Sequence, residues 1–257
     1  MMWLLRWWSS YIFHHLALWA MLYARVAPTF LLVPIVSARI VAHPVVRQIV
    51  ILFIVIGLSP VAVFHVQGPD GIALAKACVA EAITGIIMGT IVAAPFWVAS
   101  LVGELIDNQR GATIADSIDP ASGVEAAILA PFFNLMFANV FLQHGGLITL
   151  MTFFSESLRD VPLGTIPEFR YTSLVIMLNH VMQFSVSLSA PVVVGLMLLD
   201  GVLAFMSRLC KQLNAFSLSL TIKSFAAYGI MYFYFASTVP LRIFRWVSLW
   251  SLHGVLH

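Results

Sequence analysis

The sequence has 257 residues, of which 61% are hydrophobic and only 9% are charged. That balance excludes an ordinary soluble domain, and the apolar residues come in blocks long enough to cross a bilayer. The formal net charge of +2 and the lack of any run of five basic residues exclude a nucleic-acid-binding surface. The sequence therefore predicts an all-α, multi-span helical membrane protein, with residues 1–257 forming a single domain.

About six hydrophobic segments follow one another along the chain, and the first two are simple. The first covers roughly residues 11–36, and the second runs from about residue 45 to residue 66. The second is closed by Gln67-Gly68-Pro69-Asp70-Gly71, a strong turn signal. We expect these two segments to form a helical hairpin.

The third and fifth segments, residues 72–105 and 172–206, are too long for simple spans. As one helix the third would be about 50 Å long, well over the ~30 Å hydrocarbon core of a bilayer. Pro95 and Pro191 are the expected breaks, because proline removes a backbone donor and clashes with the preceding turn. The sequence leaves open whether each segment is a bent span or a hairpin, packed in a larger helical assembly.

Small residues recur every four positions in the third segment, at Gly85, Gly89 and Ala93. This spacing places them on one helix face and predicts close packing against another helix, in the same chain or in another subunit.

The fourth and sixth hydrophobic segments cover residues 124–154 and about 216–239. Gln143-His144-Gly145-Gly146 interrupts the fourth, which is either one span plus a re-entrant piece or a short hairpin.

If there are six spans, five Lys and Arg residues fall on each side of the membrane. The positive-inside rule therefore gives no orientation.

A long polar segment over residues 103–125 is the most informative part of the sequence. It contains five acidic residues and a single cation, Arg110. Its polarity excludes exposure to lipid, so it lies in water, in a pore or against another subunit. The acidic residues do not have the spacing of a calcium-binding loop, and we expect neither a metal nor any other cofactor.

Five charged residues lie within the apolar segments: Arg25, Lys76, Glu81, Asp200 and Lys223. Such groups face a partner or a wet cavity, so they serve either ion coupling in a secondary transporter or contacts between subunits. Lys76 and Glu81, five residues apart, are poorly spaced to pair on one helix. We favour subunit contacts and keep a small-solute transporter as the alternative. The sequence has no H-E-x-x-H, P-loop or G-x-S-x-G motif, so we do not expect an enzyme.

One stretch of this sequence carries a family resemblance. GELIDNQRG at residues 103–111, followed by Asp119-Pro120-Ala121-Ser122-Gly123 and Glu125, resembles the signature of the type III secretion export-apparatus family called SctT, SpaR, YscT or EscT. The flagellar FliR proteins are its sister group. The run D-N-Q-R-G-A-T is more similar to the virulence-injectisome branch, and residues 208–223 give a second, supporting patch.

This resemblance implies a non-catalytic subunit of the type III export gate. The protein would be a multi-pass protein of the bacterial inner membrane, within the basal body, joined to FliP-type (SctR) and FliQ-type (SctS) subunits. FlhB-type (SctU) and FlhA-type (SctV) subunits, inner rod or needle components, membrane lipid and transient unfolded protein substrates are the other implied partners. An assembled gate lifted largely out of the membrane would account for the uninformative charge count.

The resemblance also implies that the loop at about residues 106–123 is a plug that helps to close the gate. Its residues are Ile106, Asp107, Asn108, Gln109, Arg110, Gly111, Asp116, Asp119, Pro120 and Gly123. Arg110 would either bind a carboxylate of a neighbouring subunit or neutralise Asp107 within the loop. Our candidates for helix packing or subunit contacts are Gly85, Gly89, Glu104, Asp200, Lys211 and Lys223.

Overall fold

The computed structural model describes residues 2–34, 43–62, 71–112, 127–165, 171–209 and 219–234. Within these ranges the chain forms seven helices. They are α1 (Met2–Leu32), α2 (Pro44–Leu58), α3 (Gly71–Arg110), α4 (Leu129–Gln143), α5 (Gly146–Asp160), α6 (Tyr171–Leu209) and α7 (219–234). The predicted all-α fold class is confirmed.

Three of these helices are long and apolar enough to cross a membrane: residues Phe13–Leu32 of α1, all of α3 and all of α6. The α4 and α5 helices pass the same test only as a pair, which would add a fourth, broken span. Gly145, at the break between them, has a φ of 77°, a conformation that a residue without Cβ adopts readily. The α2 helix, at 15 residues, is short for a span.

The expected breaks at Pro95 and Pro191 are wrong. Pro95 lies inside the 40 residues of α3, and Pro191 lies inside the 39 residues of α6. Neither segment is a hairpin. Proline is tolerated inside apolar helices of this kind because neighbouring helices and local adjustments compensate the one backbone hydrogen bond that it removes.

The chain divides into two compact units. The first comprises residues 1–94, 142–173 and 251–257, and the second comprises residues 95–141 and 174–250. In the first unit α1 packs against α2, as the predicted hairpin requires. Its core includes Met21 and Leu22, fully buried, and Phe30, whose ring stacks on that of Phe154 with centroids 6.1 Å apart.

The second unit has an aromatic core between α3 and α4. Phe96 contacts Phe137 and Phe141 edge-on, with ring centroids 4.8 and 5.5 Å away. Gly103 lies against α4 so closely that a Cβ there would come within 2.5 Å of the Cα atom of Ala130. This contact fixes the start of α4 beside the last two turns of α3.

Candidate functional site

A buried ion pair joins α1 to α3 in the first unit. The Nε atom of Arg25 lies 2.5 Å from Oε2 of Glu81, and the two side chains are only 1% and 0% exposed. Removing two charges from water costs several kcal/mol per ion. A pair this deep is therefore stable only if further hydrogen bonds satisfy both groups.

The end of α5 supplies those hydrogen bonds. Arg25 donates from Nη1 to the carbonyl of Ser157 at 3.2 Å and from Nη2 to the carbonyl of Val161 at 3.0 Å. Glu81 accepts a 2.7 Å hydrogen bond from the backbone N–H of Gly164. The carbonyl of Ser157 also accepts from the N–H of Val161, and it lies in the last turn of α5, where the helix end carries partial negative charge that a guanidinium complements. The pair thus fastens α1, α3 and the turn after α5 together.

The small-residue stripe of α3 lies directly beside this pair and packs against α1. A Cβ at Gly85 would overlap the carbonyl of Arg25, and a Cβ at Gly89 would lie 2.9 Å from the Cα atom of Thr29. The hydroxyl of Thr29 donates to the carbonyl of Gly85 at 2.8 Å. The partner helix of the stripe is therefore one from the same chain.

In the second unit, Asp107 is held from two sides at the end of α3. Its Oδ1 atom accepts a 2.7 Å hydrogen bond from Nε of Arg110, and its Oδ2 atom accepts one of 2.9 Å from the backbone N–H of Leu129. Asp107 is 1% exposed and Arg110 is 7% exposed. Since α4 begins at Leu129, the carboxylate satisfies one of the N–H groups that a helix start leaves without a partner.

The polar loop therefore begins later than we expected. Residues 106–110 form the last turns of α3, with Ile106 fully buried, and the helix ends at Gly111 with a φ of 83°. The N–H of Gly111 donates to the carbonyl of Asn108 at 3.1 Å, closing the turn. The Asp107 pair and the apolar burial of Ile106 outweigh the polar composition that favoured a loop here.

Further polar contacts tie the end of α3 to α6 and α7. Lys223 lies 2.5 Å from Oδ1 of Asp200, and Gln109 donates to Oδ2 of the same carboxylate at 3.2 Å. Lys223 also donates to the backbone carbonyl of Gln109 at 3.4 Å. The guanidinium of Arg110 lies 5.8 Å from the ring centroid of Tyr228, within range of a cation–π contact.

The structure thus pairs four of the five intramembrane charges within the chain, where we had favoured contacts between subunits. Arg110 likewise contacts Asp107, the intramolecular alternative. Lys76 and Glu104 are exposed on α3. The remaining candidates, Asp116, Asp119, Pro120, Gly123 and Lys211, lie outside the described residues.

Sequence reasoning missed several of the groups that surround the Arg25–Glu81 and Asp107–Arg110 pairs. Arg25 and Glu81 were each flagged as a buried charge but not as partners, although two opposite charges at depth in apolar helices are a usable signal for pairing. Nothing in the sequence marks the N–H of Leu129, the carbonyls of Ser157 and Val161, or the ring of Tyr228. Their roles depend on where the helices end.

The ion pairs of Glu81, Asp107 and Asp200 hold helices in place, and each of these carboxylates accepts hydrogen bonds from a cation and from an N–H donor. Across the described ranges there is no group of three or more His, Cys, Asp or Glu side chains that could hold a metal ion.

Comparison with known proteins gives the family. Residues 16–244 match bacterial export proteins, family 1. The protein SpaR ("surface presentation of antigens") of Salmonella typhimurium is 36% identical over 235 residues, which cover 90% of this chain and 88% of SpaR. The chain belongs to this family of type III secretion export-apparatus proteins. The resemblance noted in the sequence is thereby confirmed.

Two other relatives show the breadth of the family. The Yop proteins translocation protein T of Yersinia pestis is 23% identical over 225 residues, covering 84% of this chain and 85% of the relative. The flagellar biosynthetic protein FliR of Bacillus subtilis is 27% identical over 148 residues, covering 56% and 57%. Together with the apolar helices, the family makes this chain a multi-pass membrane protein of the secretion machinery.

Proposed function

We propose that this protein is a structural subunit of an injectisome export gate, which helps to form and to close the channel taken by unfolded secreted proteins. Similarity to SpaR reaches 36% identity over 90% of the chain, whereas the FliR proteins of Bacillus subtilis and Escherichia coli are 27% and 24% identical over 56% and 63% of it. This difference supports the injectisome over the flagellum. The protein would reside in the bacterial inner membrane within the basal body.

The hydrogen bond from Leu129 to Asp107 is the observation that carries the closing role. It ties the two helices that flank the polar segment 113–126, at the point where the chain leaves α3 and enters α4. A segment with both ends fixed in this way can be displaced from a channel without unfolding the helices around it. This supports the plug assignment for the loop, whose polar and small residues suit an aqueous channel.

The exposed surface of α6 supports an assembled state. Large apolar side chains are exposed along its length: Val175, Met182, Val186, Val194, Leu198, Phe205 and Leu209. A surface of this extent marks contact with lipid or with other subunits. In the gate, FliP-type and FliQ-type subunits would cover part of it, and FlhB-type and FlhA-type subunits would lie nearby.

The internal pairing of the charges argues against the transporter alternative. A residue that couples transport to an ion must be accessible to that ion from water. Arg25 and Glu81 are only 1% and 0% exposed, and both are hydrogen-bonded within the protein. Asp200 is 39% exposed but is bonded to both Lys223 and Gln109. These groups are better suited to holding helices than to binding a travelling ion.

Shortening the loop tests the closing role. Deletion of residues 113–122 spares Ala112, which is 4% exposed and packs in the core. We expect the gate to assemble and the cells to become permeable to a small dye that wild-type cells exclude. The same deletion in cells lacking the FliP-type subunit should cause no leak, because no channel forms. An assembled gate that stays tight, or a loss of assembly with no leak, would refute the plug assignment.

A further inference from the structure

A stripe of polar side chains runs along the exposed face of α5. Its members are all exposed and lie three, four, three and one positions apart: Thr149, Thr152, Glu156, Arg159 and Asp160. At 3.6 residues per turn and ~1.5 Å per residue, this spacing gives a face about 100° wide and about 16 Å long. No large apolar side chain is exposed between residue 149 and the end of α5. We call this surface the α5 polar stripe.

The opposite face of α5 is apolar and is already used within the chain. Leu150, Phe154 and Leu158 are buried there, and the ring of Phe154 stacks on that of Phe30. An amphipathic helix that lies on a bilayer inserts its apolar face among the lipids and usually carries Lys and Arg on its polar face. The α5 polar stripe instead has two carboxylates against one guanidinium. This helix is therefore not built to lie on a membrane surface.

Location at membrane depth is the other possible setting, and there too the stripe cannot face lipid. The α4 and α5 helices together are long and apolar enough for one span, although the chain bends by 77° between them. Ionisable side chains at such depth face a protein partner or a water-filled cavity. A dry partner would have to compensate Glu156 and Asp160, like charges four residues apart, and removing charges from water is costly. Water is the better match for this face.

The stripe also lies on a fixed support. Arg25 donates to the carbonyls of Ser157 and Val161, which fastens the end of α5 to α1. Close packing on α2 adds a second contact, since a Cβ at Gly57 would lie 3.0 Å from Cε of Met151. Protein association is driven mainly by burial of apolar surface. A rigid, hydrated face without large apolar side chains therefore lets an extended chain pass without holding it.

We propose that the α5 polar stripe lines the water-filled channel of the assembled gate and contacts the unfolded chain in transit. Hydroxyl and charged groups can exchange hydrogen bonds with the backbone groups that an unfolded chain exposes, whatever its sequence. The inference rests on the proposed function, because it needs a channel. It assigns part of the permanent channel wall to α5, whereas the plug assignment concerns the loop at about residues 106–123.

Cysteine accessibility in the gate complex tests the proposal. The complex is isolated in mild detergent, so that a charged, water-soluble methanethiosulfonate probe reaches both of its sides. In a background with Cys78→Ala and Cys210→Ala, the variants Thr152→Cys and Glu156→Cys place a thiol on the stripe. Both positions are exposed, so α5 should tolerate the changes. Secretion by each variant confirms that its gate is intact.

Two controls set the scale for labelling. Ser157→Cys is a nearly isosteric change at a buried position next to Glu156, and Val186→Cys lies on the exposed apolar face of α6. Thiolate is the reactive form, and apolar surroundings disfavour it. We therefore expect the probe to label the two stripe variants about tenfold faster than either control. Equal rates for stripe and control positions would overturn the proposal.

A substrate fused to a stably folded domain, which stalls in the channel, gives the second readout. It should slow the labelling of Glu156→Cys severalfold, and a photo-crosslinker at Thr152 should capture it. Labelling that ignores the stalled substrate would place the stripe on the outside of the gate, and capture of a gate subunit would make it a subunit interface; both results overturn the proposal. If no complex with FliP-type and FliQ-type subunits can be isolated, the proposed function itself fails. A secreting complex with unlabelled stripe cysteines refutes this inference alone.

Discussion

Asp107, near the end of α3, accepts a 2.9 Å hydrogen bond from the backbone N–H of Leu129, the first residue of α4. Helix starts are usually capped by the residue just before them. Here the acceptor comes from another helix, 22 residues earlier in the chain. The same carboxylate also forms an ion pair with Arg110. One buried side chain therefore caps the start of α4 and pairs with the cation at the end of α3.

Replacement of Asp107 should therefore separate capping from charge pairing. Asp107→Ala removes both and leaves a guanidinium that is 7% exposed without this partner. We expect a loss of about 3 kcal/mol or more in the free energy of unfolding in mixed micelles, the usual effect of breaking a buried pair from one side. Asp107→Asn keeps an acceptor for Leu129 and should lose clearly less.

Amide hydrogen exchange around Leu129 gives the control for this comparison. Exchange should be faster in Asp107→Ala than in Asp107→Asn, because only the alanine variant lacks the acceptor. If the two variants exchanged alike and unfolded alike, the hydrogen bond would not matter to the fold.

The pair of Arg25 and Glu81 should show strong non-additivity. Arg25→Ala or Glu81→Ala leaves one charge buried without its partner and should cost roughly 3–5 kcal/mol in unfolding free energy. Replacing both with apolar residues of similar volume, as in Arg25→Met with Glu81→Leu, should restore most of that loss. Thermal unfolding of the purified variants measures the coupling. Additive losses in the double variant would mean that the two side chains do not act as a pair.

Gly85 should tolerate no side chain. Gly85→Ala places a methyl group on the carbonyl of Arg25, and overpacking of this kind costs ~1–3 kcal/mol. Gly201→Ala is the matched control, because Gly201 lies inside α6 and a Cβ there meets nothing within 4 Å. We expect that control to be neutral, or to stabilise by up to about 1 kcal/mol through helix propensity. Equal melting temperatures for the two variants would contradict the close approach of α1 and α3.

The contact between Lys223 and Asp200 should contribute less than the two buried pairs. Asp200 is 39% exposed, and solvent screening limits such a pair to ~1 kcal/mol or less. Lys223→Gln should therefore lower the unfolding free energy only slightly, and added salt should reduce even that difference. A loss as large as that of Arg25→Ala would mean that Lys223 is more deeply desolvated than its side-chain exposure of 14% indicates.

The hydrophobic pattern of the sequence predicted the helices, because each apolar block must be helical for its backbone N–H and C=O groups to be hydrogen-bonded in lipid. It also predicted the hairpin of α1 and α2 and the close-packing face around Gly85. The expectation of helix breaks at Pro95 and Pro191 was wrong, because it applied a rule for soluble helices and did not include the stabilising contacts of neighbouring helices. The pattern also set the start of the polar loop at residue 106, because composition does not show that Asp107 is buried against Leu129.

The family motif at residues 103–111 identified the function class, while the arrangement of charges needed coordinates. Arg25 pairs with a residue 56 positions away, and its carbonyl acceptors, in the last turn of α5 and just after it, are more than 130 positions away. No spacing rule connects such groups. Only the packing of three helices brings them together.

A mild-detergent pull-down of the tagged protein from its native bacterium, with mass spectrometry of the chains that accompany it, tests whether the protein is an export-gate subunit. We expect a stable complex with FliP-like and FliQ-like membrane proteins, since the proposed channel exists only in the assembled gate. A monodisperse protein that purifies alone and moves a small solute in liposomes would contradict it and establish the transporter instead.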